Sequence, residues 1–230
     1  MFAELLAKIA DRIAYAQVLM PSLLDGTVVT LQVFFLTLIM ALPLGLPIAL
    51  GSISRIWPLR GFCRTYVWIF RGTPLMLQLF FFYYFPAIQF GWLIPAFPTA
   101  VFTFVLNYAA YFAEIYRAGI ESIERGQYEA AQSLGLTRWQ TMFGIIIPQT
   151  VKRVLPPVAN ETITLIKDTA LVYVITVSEL MKVAKGAVNR DVDTLALFLA
   201  ACIYLFLTFI LTKVVTRLEN HFSRHEAKGV

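Results

Sequence analysis

Long charge-free runs divide this chain. None of the residues from Gly26 to Ser54 is charged, which exceeds the roughly 20 residues a helix needs to cross a hydrocarbon core. The run predicts a first span, and Pro43, Gly45 and Pro47 within it predict a kink turned toward protein, where neighbouring groups satisfy the freed backbone. A second run, Gly72 to Ala113, is too long for one crossing and is broken by Pro86, Gly91, Pro95 and Pro98. It reads as two spans and a tight hairpin, with Tyr83, Tyr84 and Trp92 near the turn, at the headgroup level that amphipathic aromatics prefer. The stretch from Leu155 to Leu180 has the length of a span but carries Asn160, Glu161, Thr162, Thr164, Lys167 and Asp168, which no lipid-facing helix holds cheaply. The run from Thr194 to Thr212 is one bilayer long. The pattern predicts an all-α, polytopic membrane protein with five transmembrane helices.

Composition sharpens this picture. At 59% hydrophobic and 14% charged residues, with a mean hydropathy of +0.72, the chain has too few charges to coat a water-soluble globule. Cys63 and Cys202 lie far apart without metal-binding or disulfide spacing, and His221 and His225, at i and i+4, lack a third ligand. No metal site is expected. The net charge of +5 comes from bases scattered singly between apolar blocks, which points to membrane topology and away from nucleic acid. Thirteen of the 19 Lys and Arg residues follow the odd-numbered spans. The positive-inside rule then places the amino terminus outside and the carboxyl terminus in the cytoplasm. Residues 1–20 read as an amphipathic, interfacial segment, with Phe2, Leu5, Leu6, Ile9 and Ile13 at helical spacing. Residues 21–220 make the transmembrane domain, and 221–230 a cytoplasmic tail.

The loop of about 121–149, ESIERGQYEAAQSLGLTRWQTMFGIIIPQ, carries a specific pattern. Glu129-Ala130-Ala131 is followed after three residues by Gly135, after nine more by Ile145, and three further on by Pro148. This resembles the EAA loop of ATP-binding-cassette importer permeases. Arg71-Gly72-Thr73-Pro74, Ala113 to Ile120, Leu155-Pro156-Pro157 and Lys167-Asp168-Thr169 resemble the polar amino-acid permeases of that superfamily, the histidine, glutamine and arginine type.

The resemblance implies a permease subunit of an ATP-driven importer for polar, basic amino acids in the bacterial cytoplasmic (inner) membrane. It implies two ATPase subunits, which carry ATP and Mg, a second permease subunit, identical or homologous, and an extracytoplasmic amino-acid-binding protein. No cofactor belongs to this chain, which lacks a GxxxxGK[ST] phosphate loop. Tyr128, Glu129, Ala130, Ala131, Ser133, Leu134 and Gly135 would form a cytoplasmic coupling helix whose small side chains press into the ATPase. On the predicted spans, Asn107, Tyr111 and Glu114 share one face, as do Glu161, Thr164 and Asp168. Carboxylates there suit the ammonium of an amino acid, and the resemblance assigns substrate contact to Asn107, Glu161 and Asp168, with Thr164 beside them. Glu114 and Arg117 fit an interfacial ion pair, and Glu161 and Asp168 also suit structural pairing with Lys167 and Arg153. The alternative class is a stand-alone channel or ion-coupled carrier, against which stands the lack of a second copy of either motif.

Overall fold

The computed structural model describes residues 2–223 and is helical. The tail predicted at 221–230 lies outside the described residues after Ser223, as does His225. Helix α1 (Phe2–Ser52) runs unbroken through the amphipathic segment and the first apolar run. It is followed by α2 (Trp57–Gly72), α3 (Leu75–Phe90), α4 (Ala96–Glu121), α5 (Arg125–Ser133), α6 (Arg138–Thr141), α7 (Ile147–Asp168), α8 (Leu180–Asp191) and α9 (Leu195–Ser223). A π-helical turn, Met142–Ile146, joins α6 to α7, and a 3-10 segment, Thr169–Ile175, continues α7.

Among the described residues, three helices are long and apolar enough to cross a bilayer: Leu6–Ser52, Ala96–Glu121 and Leu195–His221. Helix α3 is apolar, but its 16 residues rise only about 24 Å. It is separated from α2 at Thr73, whose extended backbone (φ −117°, ψ 144°) precedes Pro74 as proline requires. Hydropathy alone misses α2, because three arginines, Arg60, Arg64 and Arg71, interrupt its apolar residues. Helical structure in α1 continues through Pro43, Gly45 and Pro47, where the kink is expected. Gly45 is its buried residue there, while Pro43 and Pro47 lie on the exposed side.

The chain forms two compact units. The first comprises Met1–Leu36, Met76–Val101 and Leu165–Ile210. Its core joins Leu19 and Leu23 of α1, Leu180, Ala184 and Ala187 of α8, and Ala196 and Ala200 of α9. Alanines let membrane helices approach closely, and Gly26 does the same against the Leu180 backbone, where an added Cβ would stand 3.0 Å away. Glu179, fully buried, caps α8: its carboxylate accepts from the Met181 and Lys182 amides at 2.7 Å each and from the Tyr204 hydroxyl at 2.9 Å. Thr30 accepts the Leu180 amide at 3.3 Å. At the rim, Arg12 pairs with Asp193, and Tyr15 donates to Asp191 at 2.5 Å. Hydrogen bonds from Arg190 and Tyr15 hold the Asp191 carboxyl down at about 2, so this tie is complete above the ordinary carboxylate range and is lost only as pH falls toward 2.

The second unit comprises Thr37–Leu75, Phe102–Thr164 and Leu211–Val230. Ala49 of α1, Val67 of α2 and Ala110 and Ala113 of α4 form its small-residue core, flanked by Ile48, Tyr66, Phe70 and Tyr116. Polar side chains in this core bond backbone carbonyls: Tyr66 donates to Leu106 at 2.6 Å and Tyr116 to Leu42 at 3.3 Å. Gly45 lies where a Cβ would meet the Phe112 Cβ at 2.9 Å and the Ala113 nitrogen at 3.1 Å. Gly45→Ala is therefore expected to lower thermal stability in detergent by about 1–3 kcal/mol. Gly61→Ala, with nothing within 4 Å of the new methyl, should be neutral or stabilising by up to about 1 kcal/mol.

Candidate functional site

Helix α5 carries the predicted coupling residues. It starts at Arg125, three residues before Tyr128, and its last helical residue is Ser133, with Leu134 as the cap. Only Ala131 is buried on it. Tyr128, Glu129, Ala130 and Ser133 are exposed, and Leu134 is 78% exposed. Of the two alanines expected to give a smooth surface, Ala130 is exposed and Ala131 is turned inward, and one large apolar side chain, Leu134, projects at the helix end.

The stop after α5 is sharp. Gly135 takes a left-handed conformation, φ 73°, that residues with a Cβ adopt only at a cost. The Leu136 amide bonds the Ala131 carbonyl at 3.1 Å and the Gly135 amide the Gln132 carbonyl at 3.0 Å, the paired bonds of a Schellman motif. One residue later Thr137 starts α6 in a capping box: its hydroxyl accepts the Gln140 amide at 3.3 Å, and its own amide donates to the Gln140 side chain at 2.8 Å. The Thr137-x-x-Gln140 spacing signals this box in the sequence. The π turn that follows has a local cause in Pro148, which has no N–H for the Gly144 carbonyl and whose ring would press on it; a widened turn relieves both.

One side-chain tie holds α5 beside α7, and a second holds the segment that leads into α5. Gln149 donates to Gln127 at 3.1 Å, and Arg153 donates to the Ser122 carbonyl and, at 3.1 Å, to its hydroxyl. Arg153 therefore bonds the start of the loop. An apolar groove of about 830 Å³ opens in the same unit, walled by Leu46 and Leu50 of α1, Ile120 of α4, Trp139, Phe143 and Val151. Trp139 and Phe143 stack there with ring centres 5.5 Å apart.

The predicted substrate residues fall in both units. In the second, Asn107 is only 4% exposed and its side chain donates to the Phe70 carbonyl at 3.1 Å, one of the acceptors that the end of α2 leaves open. Glu161 and Thr164 are half-buried on α7, and Thr164 donates back to the Asn160 carbonyl at 3.1 Å. Asp168, the last residue of α7, belongs to the first unit and is half-buried. Glu114 and Arg117 form the ion pair that their spacing suggests, with Glu114 accepting at 2.9 and 2.6 Å. Arg117 also bonds Glu121, and Arg71 lies 3.6 Å from Glu114 with its guanidinium 5.3 Å from the Tyr111 ring centre. Beside this cluster is a cavity of about 590 Å³ whose walls include Arg64, Trp68 and Ser52. Sequence reasoning missed Glu179, whose signal is its place directly before the helical stretch from Leu180, a position where acidic side chains cap.

Comparison with known proteins follows the same lines. The family model described as the inner membrane component of binding-protein-dependent transport systems matches residues 41–224. An L-cystine transport system permease protein of Bacillus subtilis (strain 168) is 41% identical over 211 residues, covering 90% of this chain and 89% of that protein. An arginine transport system permease protein of the same organism is 37% identical over 207 residues, covering 90% and 94%. The crystal structure of an amino acid ABC transporter with histidines superposes with a TM-score of 0.84 at 35% identity, covering 91% of this chain and 97% of that one.

Proposed function

Because this chain belongs to the family of binding-protein-dependent transport system inner membrane components, we infer that it is the permease subunit through which a polar, basic amino acid is imported. ATP hydrolysis belongs to separate subunits. Relatives named for transport of arginine, cystine, octopine and glutamine support an amino-acid cargo. The observation that carries the coupling role is α5 itself, a short helix exposed at every position but Ala131 and closed at Gly135. Two ATPase subunits holding ATP and Mg, a second permease subunit and an extracytoplasmic binding protein complete the proposed assembly.

The proposed topology has five crossings: α1, α3, α4, α7 with its 3-10 extension, and α9. Residues 1–20 lie at the outer interface, where Leu6, Ile9 and Ile13 form an exposed apolar stripe, and the carboxyl terminus is cytoplasmic. Within the second unit Asn107, Glu161 and Thr164 are proposed to offer polar groups to the cargo. In the first unit Asp168 is proposed, separately, to supply negative charge to a cationic one. A carboxylate there can accept charge-assisted hydrogen bonds from a bound ammonium.

Three outcomes test these roles. Glu129→Lys and Gly135→Arg should each reduce uptake to background in proteoliposomes with the ATPase present, while the permease still inserts. The second also carries about 1–2 kcal/mol of backbone strain. Uptake at the wild-type rate rejects α5 as the coupling element. In a background with Cys63→Ser and Cys202→Ser, an impermeant thiol reagent added to whole cells should label Asn189→Cys and leave Ser133→Cys unmodified; the reverse pattern overturns the orientation. Asp168→Asn should lower uptake of a basic amino acid about tenfold or more with basal ATP hydrolysis retained. Equal loss in Lys167→Gln, accompanied by poor expression of both, marks a structural pair instead.

A further inference from the structure

One face of α2 carries residues that the coupling and transport roles leave unused. Trp57, Arg60, Arg64, Trp68 and Arg71 recur at three- and four-residue steps, which confines them to an arc of about 80°. Trp57 and Trp68 are each 75% exposed. The second half of this stripe borders the 590 Å³ cavity, in which three guanidinium groups, of Arg64, Arg71 and Arg117, face one carboxylate, Glu114. Both Glu114 oxygens are engaged by Arg117, whose remaining terminal nitrogen bonds Glu121. Arg71 reaches Glu114 only at 3.6 Å and lies over Tyr111. Arg64 donates through Nε to the Ser52 carbonyl at 3.1 Å, and among the described residues its two terminal nitrogens have no acceptor. The cavity thus holds surplus positive charge and uncommitted N–H donors, the chemistry that binds a phosphate oxygen.

We propose that this cavity holds the phosphate of an anionic phospholipid of the cytoplasmic leaflet, with Trp68 along its glycerol and upper acyl region. The choice of a lipid over a free anion rests on the stripe. Arginine alternating with exposed tryptophan matches a boundary between charged headgroups and hydrocarbon, and a hydrophilic ion gains nothing from Trp68. The leaflet rests on the orientation proposed above, whereas the binding itself does not depend on it.

The test uses the intact transporter, permease with its ATPase subunits, stripped of lipid in detergent and given equal amounts of phosphatidylglycerol and phosphatidylcholine. Native mass spectrometry should show the wild type retaining phosphatidylglycerol about tenfold over phosphatidylcholine. Arg64→Gln and Arg71→Gln should each reduce that preference about fivefold, and Arg64→Lys should keep most of it. Equal retention of the two lipids by the wild type overturns the proposal without recourse to any variant. Displacement of the lipid by millimolar inorganic phosphate assigns the cavity to a free anion and overturns it too. Thiol labelling reports the orientation separately, so the two failures are distinguishable.

Discussion

A hydrocarbon solvent supplies no hydrogen bonds, so each polar group taken into it must find a partner within the protein. The buried polar side chains of this chain obey that constraint mostly by bonding the backbone. Asn107 bonds the carbonyl of Phe70, Tyr66 that of Leu106 and Tyr116 that of Leu42. Glu179 answers the same demand in reverse, its carboxylate accepting the first amides of α8. Such bonds join one helix to another at fixed depth, and between them the helices need only small residues to touch. Alanine and glycine contacts supply the approach, and the carbonyl bonds supply the register.

The same constraint explains what the sequence discloses. Charge-free runs mark α1, α4 and α9 because lipid contact forbids charge there. The motif Glu129-Ala130-Ala131 with Gly135 is legible because a small-residue helix and a left-handed stop each demand particular residue types. Helix α2 escapes a hydropathy reading, since its arginines are interleaved with apolar residues and only its three-dimensional neighbours show which face is buried. Asn107 illustrates a different limit. Its place on a polar face of α4 is read easily, but the acceptor it meets, a carbonyl 37 residues earlier in the chain, is set by tertiary packing. Val192 is harder still: it caps α8 with φ 53°, a conformation glycine or asparagine would announce and a β-branched residue conceals.

Glu114 is placed between two arginines of different helices. Its tight bonds run to Arg117 on its own helix, whereas Arg71 at the end of α2 stands off at 3.6 Å. Arg71 is steadied instead by the Tyr111 ring. The end of α2, next to the break at Thr73 and Pro74, is therefore held by the Asn107–Phe70 carbonyl bond together with these softer contacts of Arg71, whereas the middle of the same helix is held by a short hydroxyl–carbonyl bond through Tyr66.

Between the stop of α5 and the start of α6 there is almost no slack. Gly135 and Leu136 are fastened backward to Gln132 and Ala131, and Thr137 is fastened forward to Gln140. The amides of Gly135, Leu136 and Thr137 all have acceptors, so the turn is built as a welded elbow and not as a hinge. With α5 as the proposed coupling element, a push on it would be delivered to the π turn and to α7 as a rotation of the whole arm. Compliance is left to the π turn at Met142–Ile146, whose widened coil is the one place along that arm where the helix can be wound tighter.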